Sequence, residues 1–124
     1  MPFAVEVHEE DRLVCARWYG ATDPGEAREA VQIIKSELRA HPVEGVLLDF
    51  REAPLMLTLD QVSDVGAEFA KFLGRRRLAF VTTSPAHQGL LRVVARRVEP
   101  KGVDVDVFRD EHAAMEWLHS AHTE

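Results

Sequence analysis

The sequence is poor in the features that define several large classes of protein. It contains a single cysteine, Cys15, so no internal disulfide can form. Its longest apolar runs are too short to cross a bilayer, and its first residues do not combine a basic segment with a long apolar stretch. We therefore expect a cytoplasmic protein without membrane insertion. Because Cys15 lies within the apolar run Leu13–Ala16, it is predicted to be a buried, reduced thiol.

Positive charge is also scarce. Lysine and arginine number 15 against 21 aspartates and glutamates, which gives a net charge of −6 at neutral pH. Binding to the phosphates of DNA or RNA needs a basic field, so nucleic acid is not expected as a partner. The chain also lacks the glycine-rich loop of P-loop and dinucleotide-binding proteins. No cofactor is predicted.

The histidines do not form a convincing metal-binding pattern. Glu116, His119 and His122 are three residues apart, so on a helix only neighbouring members of the set lie close together. A zinc site needs three or four ligands, and no second cluster accompanies these residues. The pattern favours an exposed helix face, and no metal site is predicted.

Alternating apolar runs and amphipathic segments fill the 124 residues, a length that suits one domain with its own core. Strands are predicted over residues 3–7, 13–19, 46–50, 78–82 and 103–108. Helices are predicted to begin at Thr22 or Asp23, at Thr58, at Ser84 and at Asp110. The order ββαβαβαβα predicts a single-domain α/β protein with helices packed on a mixed β-sheet, which is parallel except for the hairpin strand.

The segment Gly45–Arg51 is the centre of this pattern. Its apolar run, bounded by turn residues, predicts a strand buried on both faces of the sheet. Ligands of such sheets meet the carboxyl ends of the strands, where Asp49 and Arg51 are expected to lie. No nucleophile, base or metal ligand is evident beside Asp49. The carboxylate is therefore predicted to hold the following loop by accepting hydrogen bonds from the backbone or from arginine.

The loop after the next strand is the second candidate for a binding surface. Thr82, Thr83 and Ser84 supply hydroxyl groups at a helix N-terminus, where an anion can bind, and His87 follows within the first turn. The same hydroxyl groups equally suit a helix cap and loop hydrogen bonds. The sequence leaves both interpretations open.

The loop after the central strand contains an unusual apolar stretch, Leu55, Met56 and Leu57. A surface loop is normally polar, so these residues either fold into the core or form an interaction patch. Together, the Arg51–Leu59 and Thr82–His87 loops are the predicted binding surface.

The chain resembles the STAS superfamily, and most closely its SpoIIAA-like branch, which is related in shape to Sec14-type lipid-binding domains. The resemblance rests on the two central strands and on the segment from Val105 to Leu118, in which a strand ends at Phe108 and an acidic cap, Asp110, precedes Ala and Trp-Leu. It implies a non-enzymatic regulatory module that binds a protein partner or a small lipid-like or anionic ligand. It leaves a homodimer open.

The same resemblance suggests a phosphorylation site. In anti-sigma-factor antagonists of this type, an Asp-Ser-Ser/Thr-Gly motif at a helix start carries a phosphorylated serine. Thr58 occupies that place here, but Leu57, Leu59 and Asp60 depart from the motif. Thr58 is therefore either a phosphate acceptor or a helix cap.

An enzyme is the alternative from a different class. Asp49, Ser84 and His87 are the residue types of a hydrolase or a phosphate-handling enzyme. However, the chain has no Gly-x-Ser-x-Gly motif. A nucleophile also needs its base within hydrogen-bond reach, and side chains three residues apart at a helix start usually point in different directions.

Overall fold

The computed structural model describes residues 3–20, 23–52 and 58–120. Its strands are β1 (Phe3–His8), β2 (Leu13–Trp18), β3 (Gly45–Asp49), β4 (Arg77–Val81) and β5 (Asp104–Phe108). Its helices are α1 (Pro24–Ala40), α2 (Leu59–Phe72), α3 (Pro85–Val98) and α4 (Glu111–Ser120), and a 3₁₀ turn, Glu99–Lys101, follows α3. The predicted order of strands and helices is confirmed.

The strands form one sheet in the order β1-β2-β3-β4-β5. β1 is antiparallel to β2, and every other neighbouring pair is parallel, as predicted. Each crossover between parallel strands moves one place along the sheet in the same direction. Since such crossovers are right-handed as a rule, α1, α2 and α3 lie on one face, where they share one core. The last helix, α4, returns over the other face and packs on β3, β4 and β5.

The two faces of the sheet carry hydrophobic cores of unequal size. The larger core lies under α1, α2 and α3, and the smaller one lies under α4. In β3, Val46 and Leu48 belong to the larger core and Leu47 to the smaller. Every residue of β3 is buried, which confirms the prediction of a central strand covered on both faces. β5 forms an edge of the sheet, as its strict alternation of apolar and polar residues predicted.

Side-chain caps fix the start of each helix. Asp23 Oδ1 and Asp110 Oδ1 accept hydrogen bonds from backbone N–H groups three residues further on, at 2.8 and 2.7 Å. Ser84 Oγ accepts a longer bond of 3.4 Å. At α2, Thr58 Oγ1 accepts from the N–H of Gln61 at 3.2 Å, while Gln61 Oε1 accepts from the N–H of Thr58 at 2.9 Å. The predicted capping box of α2 is confirmed.

Removal of this cap should weaken the protein measurably. We expect Thr58→Ala to lower the free energy of unfolding by about 1 kcal/mol, because the first turn of α2 loses an acceptor for its backbone N–H. Thr58→Ser keeps the hydroxyl group and is the matched control. Urea unfolding followed by circular dichroism measures both variants. Equal stability of Thr58→Ala and the parent chain would show that the cap contributes nothing.

None of the four α-helices in the described residues 3–20, 23–52 and 58–120 has the length and hydrophobicity of a membrane-spanning segment.

Candidate functional site

Asp49 lies at the end of β3 and accepts hydrogen bonds at both carboxylate oxygens. Its side chain is only 2% exposed. Oδ1 accepts from the backbone N–H of Arg51 and from Arg51 Nε, each at 3.0 Å. Oδ2 accepts from Arg51 Nη2 at 2.7 Å and from Arg17 Nε at 2.9 Å. These bonds confirm the prediction that Asp49 accepts hydrogen bonds from the backbone and from arginine, and they fix Arg51 at the start of the loop.

Two further charged residues, Arg17 on β2 and Glu111 on α4, lie next to Asp49 and Arg51. Arg17 on β2 lies opposite Asp49 in the parallel register of β2 and β3. Glu111, in the first turn of α4, accepts from Arg17 Nη2 and Arg51 Nη2, each at 3.5 Å. Two guanidinium groups thus face two carboxylates. The cluster, which we call the Asp49 cluster, has no net charge and ties the start of α4 to the ends of β2 and β3.

The electrostatics of the Asp49 cluster keep Asp49 ionised. Burial by itself raises the pKa of Asp49, but hydrogen bonds from the side chain and backbone of Arg51 and from Arg17 outweigh it, so the pKa lies below its usual value. The hydrogen bond with Asp49 raises the pKa of Arg51. A general base needs a pKa near the working pH and a free lone pair aimed at the substrate. Asp49 offers neither.

The loops after β3 and β4 form a depression beside this cluster. It has a volume of about 300 Å³ and is open to solvent. We call it the strand-end depression, and its lining residues are Phe50, Arg51, Glu52, Thr82, Thr83, Ser84 and His87. The residues that were predicted to form the binding surface and that line this depression are Arg51 and the four residues from the loop after β4, Thr82, Thr83, Ser84 and His87.

The residues of the depression differ in how much they are committed to the fold. Thr82 is 1% exposed, and its backbone oxygen accepts from Gln88 Nε2 at 2.9 Å. Ser84 caps α3. Thr83 is exposed, and His87 is half-buried. Thr83, His87 and the outer part of Arg51 are therefore the groups best placed to meet a ligand.

Other predicted site residues lie elsewhere. Asp49 does not line the strand-end depression, because β3 turns its side chain toward the face covered by α4. Thr58 caps α2 and also lies outside the depression. Leu55, Met56 and Leu57 fall outside the described residues.

The residues of the alternative hydrolase are not connected as a catalytic relay. The contact between Ser84 and His87 is the cap bond from the backbone N–H of His87 to the Ser84 hydroxyl. Among the described residues, no hydrogen bond joins that hydroxyl to the His87 imidazole. Arginine occupies both oxygens of Asp49. A charge-relay arrangement needs these groups within hydrogen-bond reach of one another.

Cys15 lies close to the Asp49 cluster but is not an activated thiol. It is half-buried rather than buried as predicted. Desolvation and the negative charge of Glu111 raise its pKa to about 12. Because the thiolate is the nucleophilic form, this raised pKa disfavours a nucleophilic role for Cys15 at neutral pH. No group of three or more His, Cys, Asp or Glu side chains in the described part of the chain is arranged to hold a metal ion.

Neither a protein-family model nor a curated protein sequence matches the chain. Its fold is nevertheless similar to that of solved structures. The anti-sigma factor antagonist SpoIIAA in its unphosphorylated form matches with a TM-score of 0.68 and 15% sequence identity, over 95% of this chain and 96% of that one. An uncharacterised protein of the DUF3478 family from Shewanella loihica PV-4, which has a SpoIIAA-like fold, matches with a TM-score of 0.64 and 18% identity, over 94% of this chain and 91% of that one. The chain therefore has the STAS/SpoIIAA-like fold that the sequence resemblance predicted.

Proposed function

We propose that this chain is a non-enzymatic recognition module that binds a protein partner at the strand-end depression. The observation that carries the proposal is the contrast between two neighbouring groups of residues at the end of the sheet where the parallel strands finish. The Asp49 cluster is neutral, internally paired and committed to the fold. The strand-end depression beside it presents polar groups to solvent. Recognition uses such groups directly, whereas catalysis needs a reactive one.

The chemistry of the depression favours a partner side chain that accepts hydrogen bonds. Arg51 is shared with the Asp49 cluster, and the 29% of its side chain that is exposed supplies positive charge to the depression. Thr83 supplies a hydroxyl group, and the positive end of the α3 dipole lies at Ser84. Phe50 adds an apolar contact, and Glu52 limits how much negative charge the depression accommodates. Sites for small molecules are usually enclosed, and this one is open. A carboxylate or amide carried on a protein surface is therefore a better fit than a small anion.

The structural comparison supports the same class of function. SpoIIAA is an anti-sigma factor antagonist, and its role therefore involves another protein. Since folds host many functions, the proposal rests on the depression, and the comparison serves as support.

Site-specific photocrosslinking tests the proposal. A photoreactive amino acid in place of Thr83, in cells of the native host, should give a discrete adduct with one partner. The matched control carries the same group at Glu10, an exposed residue in the turn between β1 and β2 at the opposite end of the sheet. We expect no adduct there. Equal labelling at both positions, or none at either, would contradict the proposal.

Phosphorylation of Thr58 is a second candidate function, and one contact favours it. Arg97 reaches from α3 to the start of α2, where its Nη1 lies 3.3 Å from Asp60 Oδ1 and 3.4 Å from Ser63 Oγ. This cation partly offsets the negative charge of Asp60 that would repel a phosphate on Thr58. Mass spectrometry of the protein from growing and starved cells should then find a phosphorylated form. Unmodified Thr58 in every condition would remove this candidate.

A further inference from the structure

The two edge strands of the sheet differ in how their outer sides are protected. At β5, Asp106 Oδ1 accepts a hydrogen bond from the backbone N–H of Val107 at 2.8 Å. Asp104, on the same strand, forms an ion pair with Arg77. Charged side chains within an edge strand discourage another strand from pairing with it. β5 is therefore a protected edge.

β1 forms the opposite edge of the sheet, and its outer side is open. Among the described residues it pairs with β2 alone, residue for residue from Phe3–Trp18 to His8–Leu13, so the register contains no bulge. The strand includes no proline, glycine or lysine. Every second residue of an edge strand points its backbone N–H and C=O groups outward. The outer side of β1, which we call the β1 edge, can therefore pair with a further strand.

The side chains of β1 make this edge apolar on one face and acidic on the other. Val5 and Val7 are partly buried against the larger core, on the face that α1 covers. Glu6 points to the opposite face, and its side chain is 67% exposed. Its Oε2 lies 3.1 Å from His8 Nε2, which leaves Oε1 for a further partner. Arg17 is also on that face, but its guanidinium group binds the two carboxylates of the Asp49 cluster.

The helix beside β1 adds negative charge to the β1 edge. α1 packs over β1 and β2, and α2 lies on the side of it towards β3. At about 100° per residue, Glu26, Glu29 and Ile33 lie on the side of α1 turned away from α2. Desolvation and the nearby carboxylates of Asp23 and Glu29 raise the pKa of Glu26. The lysine and arginine residues of α1 all lie on the α2 side, and they are Arg28, Lys35 and Arg39.

We propose that the β1 edge, from Phe3 to Val7, binds an extended basic segment of a partner protein as a sixth strand of the sheet. Backbone hydrogen bonds hold the segment, and its side chains alternate between the two faces. On one face a lysine or arginine meets Glu6. On the other face its hydrocarbon stem lies on Val5 and Ile33, and its charge reaches the glutamates of α1. The paired residues stop before the turn that joins β1 to β2. The proposal does not rest on the strand-end depression, whose lining residues belong to neither β1 nor α1.

Amide NMR titration of the full chain with a peptide tests this proposal. The probe is an acetylated and amidated peptide with the repeat Lys-Lys-Val-Thr, which carries cations on both faces of a strand. We expect saturable shifts of the β1 amides and slower hydrogen exchange of those that point outward, while the β5 amides stay unchanged. A fully N-methylated form of the peptide keeps the charge but cannot donate backbone hydrogen bonds, so it should not bind. Absence of saturable shifts in β1, or equal binding of the N-methylated peptide, would overturn the proposal.

Charge variants test where the cations of the segment lie. Glu6→Lys combined with Glu29→Lys should bind the peptide about fivefold to tenfold more weakly, because two attractive contacts become repulsive. Asp64→Lys combined with Glu99→Lys makes the same change of charge at exposed residues away from β1, and it should bind nearly as tightly as the parent chain. Circular dichroism confirms that both variants are folded. Unchanged affinity in the first variant, or an equal loss in the second, would overturn the assignment. Shifts of the β1 amides with protein concentration alone would assign the edge to a second copy of the chain and would also overturn it.

Discussion

Replacing Asp49 with alanine is expected to lower the free energy of unfolding by about 3 kcal/mol. The variant would remove the carboxylate that Arg17 and Arg51 contact at 2.9 and 2.7 Å. Among the described residues, this leaves them the longer contacts of 3.5 Å with Glu111. Loss of one partner of a buried ion pair costs about 3–5 kcal/mol. We expect the lower end of this range because the two arginine side chains are 39% and 29% exposed and keep some contact with water.

Asp104→Ala is the matched control for this prediction. Asp104 pairs with Arg77 at 2.8 Å, but its side chain is 58% exposed. Exposed pairs contribute about 0–1 kcal/mol, so this variant should be much closer in stability to the parent chain. Urea unfolding of the parent and both variants measures the difference. If Asp49→Ala lost no more stability than Asp104→Ala, the Asp49 cluster would not hold the fold together.

The same carboxylate should make stability depend on acidity. The pKa of Asp49 in the folded protein lies below its usual value of 3.8. Between the folded and unfolded values the unfolded chain binds more protons, so lower pH favours unfolding. The stabilising contribution is therefore complete above about pH 3.8 and is lost as the pH falls through the folded pKa. In Asp49→Ala this part of the acid dependence should be absent, which unfolding curves at a series of pH values would show.

Replacing Leu118 with alanine is the second change with a large expected effect. Leu118 is 1% exposed and belongs to the smaller core, which α4 alone covers among the helices. β3 approaches it closely, since a Cβ at Gly45 would lie 3.1 Å from Leu118 Cδ2. Truncation of such a side chain costs about 2–5 kcal/mol, because the transfer energy is lost and a cavity remains.

Met115→Ala controls for a general effect of shortening side chains on α4. Met115 is only partly buried against the same core. It should therefore lose less stability than Leu118→Ala, and unfolding by heat and by urea should rank the two variants in that order. Hydrogen exchange of the α4 amides should also be faster in Leu118→Ala. A larger loss of stability in Met115→Ala than in Leu118→Ala would contradict the described packing of α4 on the sheet.

The fold was predictable because its main signals are local. The apolar run of β3, the capping box at Thr58 and the strict alternation of β5 each depend on neighbouring residues along the chain. Right-handed crossovers then restrict how strands joined by helices can be arranged. For this reason the sequence alone was sufficient for the element order and for the mixed sheet.

The Asp49 cluster was only half predictable. That Asp49 would hold its loop followed from its place after a buried strand. Two other members of the cluster, Arg17 and Glu111, were missed, because they lie far from Asp49 along the chain. Their approach depends on the register of β2 with β3 and on the return of α4 across the sheet. The charge of Arg17 within an otherwise apolar strand was the one available signal.

Two surface features also depended on tertiary structure. Cys15 is half-buried because α4 packs on β3, β4 and β5 and leaves part of that face near β1 and β2 open. In the basic run 75–77, Arg76 Nε donates to the backbone oxygen of Val43 at 2.9 Å, and Arg77 Nη1 donates to that of Trp117 at 2.7 Å. The side chains of these two arginines therefore bind the backbone of other elements and stabilise the fold.

The central claim is that the strand-end depression binds a protein partner. The Thr83 photocrosslink, repeated in two charge variants, tests it most directly. His87→Glu places a negative charge in the strand-end depression, whereas Arg92→Glu changes charge on the exposed face of the same helix. Both should remain folded by circular dichroism. The account predicts that the adduct is lost in His87→Glu and retained in Arg92→Glu. An adduct that persists in His87→Glu, or that disappears in Arg92→Glu alone, would contradict it.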